Sequence, residues 1–365
     1  MSLYICGIGT ATPEVSMTQE KAAEMAKTFI YDDVATQRAL PKLYRMTRVK
    51  TRSSILLKTN SAGLPEQDFY YPARCATDRG PTTAARMQHF VREAFAIAVV
   101  SCRQALAAAG TYPREVTHII TVSCTGFAAP GLDIQLIGEL GLPETIQRTH
   151  VGFMGCHGAL NGLQVAKAIV EGGPQACVLM CCTELCSLHY YYGVDAEKLV
   201  ANALFADGSA AIVGRAAPGP AGGKGHWRVE ACGSLVMPDS QEEMTWIIGD
   251  HGFEMTLSAS VPSLIAERLK PWMQGWLAGI GFSLTDIRSW AIHPGGPRIV
   301  QSTAGCLGLP RSVLRASLET LSEHGNMSSA TVLFVIDRLQ QDHARTPCVA
   351  MAFGPGLAIE ACLLL

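Results

Sequence analysis

The sequence predicts an α/β protein of stacked layers, and three observations carry that expectation. Short apolar runs of strand length alternate with longer amphipathic segments. Several of the runs are apolar throughout, as strands covered on both faces are. The chain has 365 residues, is 48% hydrophobic and only 16% charged, which excludes intrinsic disorder.

The elements follow in chain order. Leu3–Ile8 reads as a strand. Gly7 and Gly9 behind it make part of a dinucleotide-type turn, but the third glycine is missing and no helix follows at once. Thr51–Pro81 is rich in Gly and Pro without a period, the mark of a functional loop. A long helix is predicted over Thr82–Ala109, started by Pro81 and Thr82 or Thr83 and stopped by Gly110. Met87, Val91, Phe95, Val99, Cys102 and Leu106 fall on one of its faces. His118–Val122, Val178–Cys182, Ala210–Val213 and Ser289–Ile292 read as strands. A Pro/Gly/Ala connector at Arg215–Lys224 divides the chain into residues 1–215 and 216–365.

The two parts carry a weak repeat. Gly155-Cys156-His157-Gly158 opens a helical pattern through Val170, and Gly325-Asn326-Met327-Ser328 opens another through Leu339. The pattern predicts two related halves closing one site, with Cys156 and Asn326 at equivalent helix starts.

Several function classes drop out. The net charge of −2 gives no basic excess for nucleic acid. No apolar run approaches the roughly 18 residues of a membrane span. The start, Met1–Glu14, shows no signal-peptide pattern. The 13 cysteines are an odd count in a long chain, which suits reduced thiols and a cytoplasmic location. Cys181, Cys182, Cys186 and His189 lack metal-ligand spacing, so no metal is expected. The aromatic string His189–Gly193 reads as interior packing.

Cys156 is the candidate nucleophile. A helix N-terminus stabilises a thiolate and should lower its pKa. His293 ends an apolar run before Pro294-Gly295-Gly296, where an open α/β sheet presents site residues. Asn326 completes the set. An acid or Asn that orients His would suit a hydrolase. Neutral His and Asn side chains can both donate to the enolate oxyanion formed when a malonyl thioester loses CO2, an oxyanion that a carboxylate would repel.

Taken together, six motifs in order resemble the type III polyketide synthases, the chalcone-synthase-like group of the thiolase fold. They are Val122-Ser-Cys-Thr-Gly-Phe127 with Pro130-Gly131, Gly155-Cys-His-Gly158, Ala203-Leu-Phe-Ala-Asp-Gly208, His293-Pro-Gly-Gly-Pro297, Gly325-Asn-Met-Ser-Ser329 and Phe353-Gly-Pro-Gly356. The resemblance runs nearly end to end, and the dialect looks bacterial. It implies a layered αβαβα fold of two pseudo-equivalent halves and a homodimer that uses CoA thioesters without carrier protein or cofactor. Cys156 would carry the starter and growing chain, and His293 and Asn326 would bind the thioester carbonyl. Phe205 would be an aromatic gate. The second gate falls on Met255, with Phe253 two residues away as the other reading. Cavity positions align with Cys124, Thr125, Cys186, His189, Trp246 and Ser328, and a buried family glutamate with Glu184. His189 and Trp246 are bulkier than the plant residues, so the pocket should differ in depth and shape. Malonyl-CoA, acetyl-CoA and fatty acyl-CoA fit as starters better than the plant coumaroyl-CoA. Arg48, Lys50 and Arg52, with Arg45 nearby, would hold the CoA phosphates. Two other activities compete: a ketoacyl-ACP synthase III making one condensation, and a cysteine thioester hydrolase. The first usually carries Gln-Ala-Asn after the His, where this chain has Pro294-Gly295-Gly296.

Overall fold

The structure is a computed structural model that describes residues 2–217 and 226–365. Residues 218–224 of the predicted Arg215–Lys224 connector therefore lie outside the described residues. Nine strands form one mixed sheet. The N-terminal five are β1 (Leu3–Ala11), β2 (His118–Ser123), β3 (Gln147–Gly152), β4 (Cys177–Leu185) and β5 (Asp207–Arg215). The C-terminal part supplies β6 (Trp227–Val236), a separate hairpin of β7 (Met244–Gly249) and β8 (Gly252–Leu257), then β9 (Ser289–Ile292), β10 (Cys348–Gly354) and β11 (Ala358–Leu364). The sheet order is β9-β10-β11-β6-β1-β5-β4-β2-β3. It reads as two copies of one pattern, β2-β4-β5-β1 and β9-β10-β11-β6, joined back to back where β1 pairs antiparallel with β6. Strand β3 extends only the first copy.

Five helices matter to the site: α1 (Thr83–Ala108), α2 (Gly158–Gly172), α3 (Ala196–Leu204), α4 (Val261–Gly279) and α5 (Thr331–Gln341). Alternate residues of β4 explain the layering. Val178, Met180 and Cys182 enter a central core with α2 and α5, whereas Cys177, Leu179 and Cys181 enter an outer core with α1. A further outer core packs α4 against the C-terminal strands. All nine residues of β4 are buried, which is why its sequence is apolar without alternation.

The long predicted helix forms almost as expected, with the Thr82 hydroxyl accepting from the Ala85 N–H. Its buried stripe is rotated from the predicted one. Val99, Cys102 and Leu106 are buried as expected, but in the first half Val91 is exposed, and Arg86, Phe90, Ala94 and Ile97 are buried. Arg86 can occupy the stripe because the carbonyls of Pro81, Leu188 and Tyr190 and the Tyr70 hydroxyl accept its protons. Gly7 and Gly9 bind no dinucleotide turn. A Cβ on either would stand 2.4 Å from the Ala105 carbonyl oxygen or 2.1 Å from that of Ser101, so they let β1 lie directly on α1. The 51–81 segment is mostly irregular, with only the short ladders Lys58–Thr59 and Pro65–Glu66 beyond Thr51–Ser53.

The two helix-opening motifs share a local design. Each starts with a three-residue 3-10 turn, Gly155–His157 or Ser328–Ala330, before its helix begins. A glycine at positive φ precedes each catalytic candidate or stands at its turn, Gly155 at +71° and Gly325 at +75°. Gly155 is also packed so closely that a Cβ would sit 2.3 Å from Pro355.

Candidate active site

Cys156 is 8% exposed, in the turn that leads into α2. Asn326 is 1% exposed and reaches it from the other half, with Nδ2 3.9 Å from Cys156 Sγ. The orientation of that amide is fixed. Its Oδ1 accepts from the Ser328 N–H at 2.9 Å and from the Thr331 hydroxyl at 3.4 Å, which leaves the NH2 end for the sulfur. The backbone of Asn326 forms a parallel bridge with Phe205. Its N–H donates to the Leu204 carbonyl, and its own carbonyl accepts from Ala206, both at 2.9 Å.

His293 follows β9, held by its N–H donating to the Met351 carbonyl at 2.8 Å. The ring is buried, and among the described residues neither ring nitrogen has a hydrogen-bond partner. Burial, with His157 acting in the same direction, pushes its pKa down to about 3. The imidazole is therefore neutral at physiological pH, and both ring nitrogens are buried and unclaimed by the described residues.

The expected low thiol pKa is corrected by the structure. Burial pushes the Cys156 thiol up to about 12, and the Glu184 carboxyl adds to the rise, against hydrogen bonds from Ser328 and Asn326. Loss of hydration outweighs the favourable turn of N–H groups. The resting Cys156 side chain is therefore a neutral thiol.

Glu184, at the end of β4, is fully buried and organises the back wall. Its Oε2 accepts from the Cys124 N–H at 2.9 Å and the Thr125 hydroxyl at 2.7 Å, and its Oε1 from the Ser329 hydroxyl. It therefore ties the 123–125 loop to the Asn326 loop. Cys124 in turn accepts from the Gly155 N–H at 3.0 Å.

Two cavities share a wall at the site. The inner one, about 30 Å³, is lined by Cys156, Cys124, Thr125, Cys186, Phe205, Trp246, Met255 and Ser328 among others. An outer one, about 390 Å³, is also bordered by Cys186, Phe205, Trp246 and Met255, with His189 and Phe253. Met255 borders both parts, whereas Phe253 borders the outer one alone and stacks on His189 with centroids 4.2 Å apart. Of Met255 and Phe253, only Met255 lies at the boundary. Trp246 pairs with Met255 across the hairpin, and its indole N–H donates to the Cys124 carbonyl at 2.6 Å.

Two candidate assignments change. His189 offers no polar atom to a substrate: Nε2 donates to the Thr125 carbonyl at 2.7 Å, and Nδ1 accepts from Phe253 N–H at 2.9 Å. Burial holds its pKa down at about 3, so it is a neutral wall strut. Arg52 is not a phosphate ligand. It is 2% exposed, donates to the carbonyls of Asn202 and Phe205 at 2.5 and 3.0 Å, and lies over the rings of Tyr44 and Tyr190. It is the middle, buried residue of the short strand Thr51–Ser53, which charge counting along the sequence does not see. Arg45, Arg48 and Lys50 are exposed. Sequence reasoning missed His157, whose Nδ1 pairs with Asn161 Oδ1 at 2.7 Å beside Cys156, and Ser329. For His157, its place next to Cys156 was the available signal. Among the described residues no group of three or more His, Cys, Asp or Glu could hold a metal ion.

Residues 2–218 match the N-terminal domain of chalcone and stilbene synthases, and residues 229–365 match the C-terminal domain. The chain belongs to that family. The α-pyrone synthesis polyketide synthase-like Pks18 of Mycobacterium tuberculosis is 31% identical over 98% of this chain and 89% of its own. The 1,3,6,8-tetrahydroxynaphthalene synthase of Streptomyces peucetius is 31% identical over 99% of this chain and 92% of its own. Among solved structures, PKS-I from the brown alga Ectocarpus siliculosus superposes with a TM-score of 0.90 at 29% identity, covering 100% of this chain and 98% of that one. The Streptomyces coelicolor tetrahydroxynaphthalene synthase gives 0.85 at 28% identity, covering 99% and 98%. The fold is the thiolase-like αβαβα arrangement of type III polyketide synthases. The protein is a type III polyketide synthase, an acyltransferase that condenses malonyl-CoA units iteratively and cyclises the product. The single-condensation and hydrolase alternatives are not favoured.

Proposed function

We propose that Cys156 carries the starter acyl group and the growing chain, and that His293 and Asn326 do the remaining chemistry. The observation that supports this most is the pairing of a fixed Asn326 NH2 beside Cys156 with a His293 ring that has no internal partner. A thiol held near 12 does not ionise alone. The neutral His293 takes its proton as the sulfur attacks the acyl-CoA carbonyl, and CoA leaves as its thiol. When malonyl-CoA then occupies the site, His293 and Asn326 donate to its thioester oxygen. Loss of CO2 leaves an enolate stabilised by those two donors. The enolate carbon attacks the Cys156 thioester, and the sulfur is released for the chain to be reloaded. No cofactor beyond the CoA thioesters enters this scheme.

CoA would enter through an apolar cavity of about 340 Å³ lined by Leu43, Met46, Thr47, Gly295, Gly296 and Arg298. The exposed Arg48 and Lys50 follow it in sequence and would hold the phosphates. A pyrone or phenolic product from a malonyl or acyl starter is the reading the relatives suggest. We place the division between the halves at residues 215 and 216. The enzyme would act as a cytoplasmic homodimer. Phe127 and Phe153, 51% and 38% exposed and packed edge to face at 5.9 Å, with Val91 nearby, make an apolar face suited to a second copy. No described helix is long and apolar enough to cross a membrane. Incubation with malonyl-CoA and an acyl-CoA panel, read by product mass, tests the scheme. Several malonyl-derived units per product are expected. One unit appearing only with acyl carrier protein, or free acid alone, would overturn it.

A further inference from the structure

Two cysteines with no part in the condensation face each other across the sheet. Cys232 on β6 and Cys362 on β11 are direct partners in the antiparallel register, and their sulfurs are 3.2 Å apart. Opposed residues on neighbouring strands normally hold their Cβ atoms about 4.5–5.5 Å apart, somewhat wider than a disulfide takes. Here the thiols already touch on one face, and a bond requires the sulfurs to close by about 1 Å. The ladder beside them is already irregular, with a register shift between Val229 and Ala231.

The two thiols differ in the way an exchange site requires. Cys362 is fully buried, while Cys232 is only half-buried. A hydrogen bond from Cys362 lowers the Cys232 thiol below its ordinary value, with Lys167 acting in the same direction. The other thiol contact of this kind, Cys102 with Cys181, has both members fully buried and closed to any reagent.

We propose that Cys232 and Cys362 form a reversible thiol–disulfide exchange site that accepts small disulfides of the glutathione type. The Cys232 thiolate attacks one sulfur of the small disulfide. That S–S bond breaks, and one small thiolate leaves and takes up a proton. Cys362, giving its proton to solvent, attacks the Cys232 sulfur of the mixed disulfide and expels the second small thiolate, which is protonated in turn. Two protein thiols are oxidised and one small disulfide is reduced to two thiols, so electrons and protons balance. Cys232 is the attacking residue and Cys362 the resolving one.

The full-length protein is incubated with oxidised glutathione, the remaining thiols are alkylated, and its peptides are mapped by mass. A Cys232–Cys362 cross-link that disappears with dithiothreitol is expected. Cys362→Ala should instead accumulate a glutathione adduct on Cys232, and Cys232→Ser should leave Cys362 unmodified. Retained malonyl-CoA turnover by both reduced variants shows that they fold. The wild-type map decides alone if either does not. Modification confined to Cys75 and Cys306, or a Cys232 adduct that persists in the wild type, overturns the proposal.

Discussion

Replacing Trp246 by Ala tests whether one side chain sets the room available at Cys156. The indole stands between an inner space of about 30 Å³ and an outer cavity of about 390 Å³. The inner space has room for about two or three waters, too little for an acyl chain. Removing the indole frees on the order of 150 Å³, the scale of engineered large-to-small cavities, and joins the two parts. The cost is the 2.6 Å bond to the Cys124 carbonyl and edge contacts to His189 and Phe253. Trp246 is only part-buried, so about 2 kcal/mol is expected rather than the 3–5 of a core aromatic. The assay compares kcat/KM for dodecanoyl-CoA and acetyl-CoA in wild type and variant. Each extra methylene that finds apolar wall is worth about 0.8 kcal/mol, so two suffice for a shift of at least tenfold towards the longer starter. An unchanged ratio in a variant shown to be folded would refute the view that Trp246 closes the cavity.

Three further outcomes follow from the same geometry. Cys156→Ala should abolish chain elongation while leaving thermal unfolding within about 1 kcal/mol of wild type; product formation at the wild-type rate would remove Cys156 from the mechanism. Arg52→Met loses two charge-assisted bonds to carbonyls and should cost about 3 kcal/mol of stability, whereas Arg48→Ala should raise the KM for malonyl-CoA several-fold with kcat retained. The opposite pattern, read by denaturant unfolding and steady-state kinetics, would reverse the roles assigned to these arginines. His189, held near 3, is neutral in the fold but gains a proton on unfolding below its ordinary value of 6.5, so it lowers stability as pH falls from about 6.5 to 3. Asp207, raised to about 6 by burial, works in the opposite sense between about 4 and 6, so the test is a difference. His189→Gln should flatten the fall in stability on acidification by about 1.4 kcal/mol per pH unit, and equal slopes in urea titrations at pH 4–6 would disprove it.

The layered architecture was legible because its strands are buried on both faces, and runs such as Val178–Cys182 show that directly. Cys156, His293 and Asn326 stood out through local grammar: a glycine, a reactive group, then a helix or turn. What stayed hidden depends on packing between distant segments. Arg52 reads like its exposed neighbours Arg48 and Lys50, yet alternation along Thr51–Ser53 turns it inward to the Phe205 carbonyl. Val91 looks like core, but Arg86 takes the buried stripe because four oxygens from three segments meet it. The high Cys156 pKa likewise arises from desolvation by both halves, a property that the helix start alone cannot report.

The parallel bridge between Phe205 and Asn326 has a mechanical consequence. Two backbone hydrogen bonds of 2.9 Å fasten the chain around residue 205 to Asn326, and Arg52 grips the Phe205 carbonyl from behind. A swinging loop here would drag Asn326 with it. The frame is therefore rigid and only the benzyl ring can swivel, about its own torsions and on a side-chain timescale far shorter than that of loop rearrangement. Access to Cys156 can then be retuned by exchanging one ring for another while the hydrogen-bonding geometry at the sulfur stays where it is.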